Sequence, residues 1–279
     1  MGVLWLTDGN LDSREVGDRA AALSRLAAAS VPVPNGFVLG HEELRKYSVE
    51  APTSPLAPAL PRKLPSGLSE MLSDALSQIS GAVAVRRSPL DPVSERGPGP
   101  AGRPERETYL NLLDPAEVIE AIRRIWSGTG GVPPRTAVLV MRFVVAQVSA
   151  VIRRDRADDD LLHVQATYGV GDLLAAGLVV PDRYGVRREG QVHSRTIGRK
   201  AQMTIAKVDG GIVRVPVPAN QAREASLDAG RLAQLAELWR KAEVTLGGVR
   251  SMSVAFAPHP FVTGCVGAPI PTDSGLMLG

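Results

Sequence analysis

The histidines and the cysteine are the residues of this chain whose types could carry catalysis or hold a metal. The four histidines are His41, His163, His193 and His259. None of them is spaced from another as HxxxH, and Cys265 is the only cysteine, so the usual zinc ligand sets are missing. We therefore expect no metal site. His259 lies in the turn APHPF, where it could act as an acid or base or could have no role.

A tyrosine and two apolar residues could contribute to a ligand pocket. Tyr168 precedes the glycine turn Gly169–Gly171, which is too short to be a phosphate loop by itself. Its hydroxyl could donate a hydrogen bond to a ligand, although core packing explains this tyrosine equally well. Met141 and Phe143 alternate along a predicted strand, where such residues can line a pocket but more often belong to the core.

Helices and strands follow each other without strict βαβ alternation, which indicates an α+β fold. Apolar residues at helical spacing predict helices over residues 17–29 and 226–244, and Asp114 followed by Pro115 marks the start of another. A long β-rich run, Thr136–Ile152, is followed by shorter strands.

Two proline-rich segments interrupt the first half of the chain. We expect an N-terminal lobe over residues 1–130, with proline-rich loops at 51–65 and 88–107, and a C-terminal β-rich lobe over residues 131–279. Long loops inside a compact domain are usually functional or mobile.

The composition excludes several classes of protein. Hydrophobic residues make up 44% and charged residues 22%, and no apolar run approaches the roughly 18 residues of a membrane span. The N-terminal segment has no basic start, so we expect a cytoplasmic protein without a membrane partner. A single cysteine also predicts no disulfide-linked partner. The net charge of +3 is mild and aromatic residues are only 4%, so we expect a small-molecule substrate and no nucleic acid.

Three islands of the sequence resemble, in order, the nucleotide-binding domain of phosphoenolpyruvate synthases and pyruvate phosphate dikinases. They are VPVPNGFVL (Val31–Leu39), AVAVRRS (Ala82–Ser88) and VPDRYGVRREGQVHSRTIGRKAQM (Val180–Met203). The family domain has the ATP-grasp architecture, in which ATP lies in a cleft between two lobes. The resemblance therefore implies an α+β, ATP-grasp-like fold with two lobes around a central cleft.

The resemblance also implies a set of ligand-binding positions, several of which are altered. Arg19 stands where the family has a lysine, and Arg86 and Lys200 are kept. The family's Trp-Gly-Leu-Gly-Glu turn begins here with Tyr168 and ends with the shorter carboxylate of Asp172. Arginine and lysine both hold phosphate, but with different geometry.

The largest departures lie near the C-terminus. Ser251 and Ser253 stand where the family has an aspartate and a glutamate, and that glutamate helps to hold magnesium. Val266 begins the stretch that replaces a Gln-Ala-Arg-Pro signature, whose arginine becomes Ala268. Because magnesium requires hard oxygen ligands and phosphoryl transfer depends on the ion, we expect neither ATP nor a metal as cofactor.

A cleft that has exchanged charged groups for small and apolar ones suits an organic ligand. We predict a repurposed ATP-grasp-like enzyme of specialised metabolism that closes a ring or performs a cycloaddition on a polyketide-like substrate, since orientation alone can lower such a barrier. The expected catalytic residues are Arg19, Arg86, Tyr168 and Asp172. The expected substrate-binding residues are Met141, Phe143, Lys200, Ser251, Ser253 and Val266.

Two alternatives remain open. One is a non-catalytic pseudoenzyme that binds a ligand without turnover. The other is a residual ATP-dependent phosphotransferase or ligase, which would use ATP and magnesium through Arg86, Lys200 and Asp172. Full chains of the resembled family continue into a phosphohistidine domain and a phosphoenolpyruvate-binding barrel, so we do not expect the complete synthase cycle from these 279 residues alone.

Overall fold

The computed structural model describes residues 2–47, 65–90, 108–127, 135–155 and 157–267. The two predicted proline-rich loops lie almost entirely outside these described residues. The described residues combine six α-helices with a five-stranded sheet, a six-stranded sheet and a two-stranded hairpin, and the strand pairings within these three units are antiparallel. The predicted α+β class is confirmed.

The five-stranded sheet forms the first lobe. Its strands, in spatial order, are β1 (Leu4–Trp5), β2 (Gly36–Leu39), β5 (Thr136–Arg142), β3 (Val83–Pro89) and β4 (Thr108–Leu112). One face packs against the helices α2 (His41–Lys46), α3 (Ser66–Ser77) and α4 (Pro115–Ser127), whose buried side chains form one hydrophobic core with it.

The six-stranded sheet forms the second lobe. Its strands, in spatial order, are β13 (Pro260–Gly267), β12 (Val249–Phe256), β6 (Val148–Arg154), β7 (Leu161–Tyr168), β8 (Asp182–Arg187) and β9 (Val192–Thr196). The remaining elements are α1 (Ser13–Ala28), α5 (Asp172–Ala175), α6 (Ala229–Leu246), and the hairpin strands β10 (Gln202–Ala206) and β11 (Ile212–Pro216). A second hydrophobic core joins α1 and α6 to both sheets.

Helix α1 starts earlier than the sequence predicts. The side chain of Asp12 caps it by accepting a hydrogen bond from the backbone of Arg14, and the helix bends at Gly17, where φ is 77°. A Cβ at Gly17 would lie 2.4 Å from the carbonyl oxygen of Pro89. The glycine therefore lets α1 approach β3 closely, which brings the second half of the helix beside that strand.

The two faces of the six-stranded sheet differ in character. Met252, Val254 and Phe256 alternate onto the face that packs against α1 and α6. The opposite face, called the open face below, carries the register rows Val266–Ser251–Arg153–His163–Gly185–Ser194, Gly264–Ser253–Val151–Gln165–Arg183–Thr196 and Phe261–Ala255–Ser149–Thr167. These rows hold polar and basic side chains and no carboxylate.

The β10–β11 hairpin connects the two lobes. At one end, Gly169 bridges to Thr204, and the backbone N–H of Val170 donates to the carbonyl of Thr204 at 2.9 Å. At its tip, the side-chain amide of Asn111 donates to the carbonyls of Lys207 at 2.8 Å and Gly211 at 2.6 Å. The hairpin thus runs from the end of β7 to β4.

The predicted long β-rich run Thr136–Ile152 is not a single strand. It contains two strands, β5 and β6, which lie in different sheets. Strand β5 pairs with β2 and β3 although it follows residue 130 in the chain. The division into lobes at residue 130 stays a prediction.

Across the described ranges, no helix has the length and apolar character needed to cross a bilayer.

Candidate functional site

Arg86 lies on β3, where the first lobe meets the edge of the second. Its Nη1 donates to the carbonyl of Thr263 on β13 at 3.1 Å, and its Nε is buried without a hydrogen-bond partner. Loss of hydration, together with the neighbouring charge of Arg19, lowers the pKa of Arg86 to about 10. No salt bridge to Arg86 occurs within the part of the chain that the structure describes.

Arg19 comes beside Arg86 through the close packing of α1 on β3. It is half-buried, and its Nη1 donates to the carbonyl of Arg87 at 3.3 Å. The structure therefore brings together two of the predicted catalytic residues, which are 67 positions apart in the sequence. Two guanidinium groups at one junction favour an anion there.

Asp172 begins the short helix α5, directly after the glycine turn. The turn is held by Ser149, whose hydroxyl donates to the carbonyl of Gly169 at 2.8 Å. Asp172 is half-buried, and its Oδ1 is buried without a hydrogen-bond partner. A buried carboxylate oxygen without a partner is costly, so this atom is suited to accept a hydrogen bond from a ligand.

Lys200 is fully buried and its ammonium is used within the protein. Its Nζ donates to Oδ1 of Asp182 at 2.5 Å and to the carbonyl of Gly198 at 3.0 Å. The second carboxylate oxygen of Asp182 accepts from both the backbone and the hydroxyl of Ser226, each at 2.7 Å. Asp182 and Lys200 both lie in the island Val180–Met203, but their pairing was not predicted from the sequence.

Tyr168 packs over this buried pair. The Nζ of Lys200 lies 5.4 Å from the centre of the tyrosine ring, and the phenol donates to the carbonyl of Glu224 at 3.3 Å. Burial, and then the charges of Asp182 and Glu224, raises the pKa of Tyr168. The side chain therefore remains a neutral phenol at physiological pH.

The three predicted substrate-binding residues on the last two strands lie on the open face. Ser251 pairs with Val266, and Ser253 pairs with Gly264, and both serines are half-buried. Ser253 is also close to the Arg86 contact, because the hydroxyl of Thr263 donates to its carbonyl at 3.4 Å. Tyr168 aligns with the opposite, core-facing side of the sheet.

Met141 and Phe143 belong to the core between the lobes. Met141 is 1% exposed and Phe143 is 9% exposed, and both are part of the cluster that includes α1. Their predicted contact with substrate stays a prediction.

His259 and Cys265, two of the residues singled out by type alone, lie in different surroundings. His259 is exposed, whereas Cys265 is buried and its burial raises the thiol pKa to about 12. Among the described residues, no group of three or more His, Cys, Asp or Glu side chains is placed to hold a metal ion.

Part of the chain matches the model of a known protein family. Residues 133–259 match the family model described as the pyruvate phosphate dikinase AMP/ATP-binding domain. The chain is a relative of that domain. Its fold is α+β and ATP-grasp-like, as the sequence islands imply.

Curated proteins agree with this relationship. The chain is 29% identical to a rifampicin phosphotransferase from Streptomyces sp over 277 residues, which cover 84% of this chain and 32% of that protein. It is 26% identical to a probable phosphoenolpyruvate synthase from Archaeoglobus fulgidus, with 85% of this chain and 38% of that protein covered. The chain therefore spans about a third of the length of these relatives.

Solved structures include an acetyl-coenzyme A synthetase from Ca. Korarchaeum cryptofilum, described in complex with coenzyme A, Ca-AMPCP and HgCl+. The match covers 90% of this chain and 92% of that chain, at 11% identity and a TM-score of 0.43.

These comparisons correct the expected absence of a cofactor. The expectation of neither ATP nor metal is wrong, because the matching family is an AMP/ATP-binding domain and the relatives are a phosphotransferase and a phosphoenolpyruvate synthase. The substitutions at Ser251 and Ser253 led to that expectation, but they change only part of the site. The comparisons give no support to a cyclase, and they favour the phosphotransferase alternative.

Proposed function

We propose that this chain is an ATP-binding domain of the phosphotransferase type, with the nucleotide phosphates beside Arg86. The proposal rests on the burial, the neighbouring charge and the hydrogen bonding of this guanidinium. It is largely desolvated, has the positive charge of Arg19 beside it, and leaves its buried Nε without a partner. A phosphate oxygen would supply an acceptor for this Nε and a negative charge that no described residue places in a salt bridge with Arg86.

Asp172 supplies the complementary group. Its unpartnered Oδ1 can accept a hydrogen bond from a hydroxyl or amino group of the nucleotide. Two orphaned buried atoms of opposite character, a donor on Arg86 and an acceptor on Asp172, fit a ligand that carries both phosphates and hydroxyl groups.

Magnesium fits this site with few protein ligands. When bound, the ion neutralises charge on the phosphate oxygens during phosphoryl transfer. Magnesium usually keeps several waters and takes one or two carboxylates together with substrate phosphates. Here Ser251 and Ser253 offer neutral hydroxyl oxygens on the strand that adjoins the Arg86 contact. The nucleotide phosphates and water would therefore supply most of the ligands.

The nature of the relatives suggests a small-molecule acceptor. The rifampicin phosphotransferase relative is named for an organic small molecule. We infer that the phosphoryl group reaches a small molecule of specialised metabolism. Release of inorganic phosphate or AMP from ATP would distinguish this activity from the non-catalytic alternative.

Calorimetric titration with Mg-ATP tests the proposal. We expect the wild-type chain to bind, Arg86→Met to lose at least about tenfold in affinity, and Arg86→Lys to keep part of it, because charge-assisted hydrogen bonds contribute about 1.5–3 kcal/mol. Arg250→Met, at an exposed position of β12, is the matched control and should bind normally.

The thermal stability of the Arg86→Met protein separates a binding defect from a folding defect. Removing a buried charge that has no carboxylate partner should leave the melting temperature unchanged or raise it. The proposal fails if the wild type does not bind Mg-ATP at millimolar concentration, or if folded Arg86→Met binds as tightly as the wild type.

A further inference from the structure

The open face of the six-stranded sheet separates basic residues from acidic ones. The chain as a whole is almost balanced, with 32 Lys and Arg and 29 Asp and Glu. On this face, however, the register rows carry Arg153, His163 and Arg183, and Arg187 follows opposite Leu161. No carboxylate occupies any of the paired strand positions of this face.

Two of these basic residues are neutralised by the loop that joins β6 to β7. His163 bonds to Asp155 through its Nε2. Nη1 of Arg187 donates to Asp158 at 2.7 Å and to Asp160 at 3.4 Å. The acidic loop therefore pairs with one edge of the face.

The other two arginines are not paired in this way. Arg153 and Arg183 are exposed, and neither has a salt bridge among the described residues. They lie in adjacent rows on β6 and β8, about 10 Å apart across the sheet and about 7 Å apart along the strands, with Gln165 of β7 in the row of Arg183. Arginine side chains of this placement can converge on one ligand above the glutamine.

The neighbour of Arg153 shows that a structural arginine looks different here. Arg154 points to the other face, where it bonds to Glu243 of α6, and Arg188 bonds to the same carboxylate. Glu243 is itself buried. Two consecutive arginines of β6 therefore differ: Arg154 is half-buried and paired with carboxylates, whereas Arg153 is exposed and has no salt bridge among the described residues.

We propose that Arg153 and Arg183 bind the phosphate or carboxylate group of the second substrate, on the open face. This inference rests on the proposed ATP-binding function, in which Arg86 holds the nucleotide at the β13 edge of the same sheet. Arg153 lies two strands from that edge and Arg183 four strands from it, which leaves room for a second anionic molecule. Gln165 on β7 adds a neutral hydrogen-bonding group between the two arginines, and Ser251 and Ser253 on β12 lie between Arg153 and the β13 edge.

Inorganic pyrophosphate, titrated into protein saturated with Mg-ATP, is the probe. The titration is done at about 0.15 M ionic strength, where the Debye length of about 8 Å suppresses diffuse attraction. We expect Arg153→Ser and Arg183→Ser each to weaken pyrophosphate binding by about tenfold or more, while the affinity for Mg-ATP stays within about twofold. Arg195→Ser is the matched control, because Arg195 is exposed on β9 in a row that pairs with the core-facing Tyr184.

Four outcomes decide between the possibilities. Loss of pyrophosphate binding in the two open-face variants but not in Arg195→Ser supports the site. Equal losses in all three variants, or no loss in any, overturn it. A parallel loss of Mg-ATP affinity also overturns it, because the face would then belong to the nucleotide.

Titrations of the Arg86→Met protein distinguish a failure of the proposed anion site from a failure of the proposed ATP-binding function. If the wild type fails to bind Mg-ATP, the proposed function fails. Pyrophosphate titration of Arg86→Met, with and without Arg153→Ser, then reports on the open face alone. Binding that depends on Arg153 in that background retains the anion site, whereas binding that does not depend on it removes the site.

Discussion

Lys200 and Asp182 form an ion pair in which neither side chain is exposed to solvent. The ammonium lies 2.5 Å from Oδ1 of the carboxylate, and the ring of Tyr168 covers it. Each charge has further hydrogen-bond partners, as a buried pair requires to offset its loss of hydration. The pair joins β8 to the segment that leads into β10, so it fixes the root of the hairpin that connects the lobes.

Breaking this pair should destabilise the fold. Lys200→Met leaves a buried carboxylate without its cation, and we expect a loss of about 3–5 kcal/mol in the free energy of unfolding, measured with urea. Lys241→Met removes a pair in which both side chains are about half exposed, with Glu237, and should cost less than about 1 kcal/mol. Equal effects of the two substitutions would show that the buried pair has no special role in stability.

The glycine turn before α5 should tolerate no side chain at Gly169. Its φ is +71°, and a Cβ would lie 2.2 Å from the carbonyl oxygen of Thr204. Gly177 is the control, since its φ is +69° but no atom lies within 4 Å of a Cβ. Both alanine variants carry backbone strain of roughly 1 kcal/mol, and only Gly169→Ala adds a backbone clash.

Hydrogen exchange should reveal this difference. Gly169→Ala is expected to reduce amide protection in β10, because the hydrogen bond from Val170 to Thr204 must lengthen. Gly177→Ala should leave β10 as protected as in the wild type. Unchanged protection in Gly169→Ala would contradict the close contact.

Asn111 should be required at the tip of the hairpin. Its amide donates to two carbonyls of the tip, and its backbone has a φ of 59°. Asn111→Asp keeps the size and the tolerance of positive φ but replaces the donor by an acceptor facing two carbonyls. We expect this variant to release the hairpin tip more than Asn111→Gly does, with faster amide exchange at Gly211 as the measurement. The reverse order would mean that backbone conformation, not hydrogen bonding, holds the tip.

High pH should lower the free energy of unfolding through two buried ionisable groups, a thiol and a phenol. Burial raises the pKa of Cys265 to about 12, and burial followed by the charge of Asp182 raises the pKa of Tyr184 to about 12. Both groups hold their protons more tightly in the folded state, so their contribution to stability is full below about pH 9 and declines as the pH rises toward 12. Urea unfolding between pH 8 and about 11 should show this decline.

Two conservative variants identify the groups responsible. Cys265→Ala and Tyr184→Phe should each reduce the pH dependence without abolishing folding. Native Cys265 should also react slowly with thiol reagents at neutral pH, since little thiolate is present. A wild-type stability that stays level up to about pH 11 would rule out both groups as the cause.

Individual helices and strands could be predicted from the sequence because interactions between residues close in the chain largely determine them. Asp114 caps the helix predicted to start there, by accepting a hydrogen bond from the backbone of Ala116 at 2.8 Å. The break between β5 and β6 was missed because both strands are rich in β-branched residues. Only pairing with different partners separates them.

The residues of the candidate site stay predictions. The family resemblance pointed to Arg19, Arg86 and Asp172; in the structure Arg19 donates to a backbone carbonyl, and Arg86 and Asp172 each have one buried atom without a hydrogen-bond partner among the described residues. The islands could not show that Lys200 differs from a ligand-binding lysine. Its charge is neutralised by the carboxylate of Asp182, 18 residues before it in the chain. The sequence also could not show that Arg153 and Arg183 lack a salt bridge among the described residues, because an unpaired charge is recognised only when its surroundings are known.

The sequence by itself indicated the α+β class, several of the helices and strands, and the resemblance to an AMP/ATP-binding domain, which implies that Ser251 and Ser253 stand where the family has carboxylates. Hydrophobic periodicity, capping residues and retained islands carry this information within short windows of the chain. The tertiary structure alone decided which arginines are neutralised. Arg154 meets Glu243 from a helix 89 residues later, whereas Arg153, one residue before it, faces the side of the sheet without carboxylates. Charge pairing depends on distance in space, and the fold sets that distance.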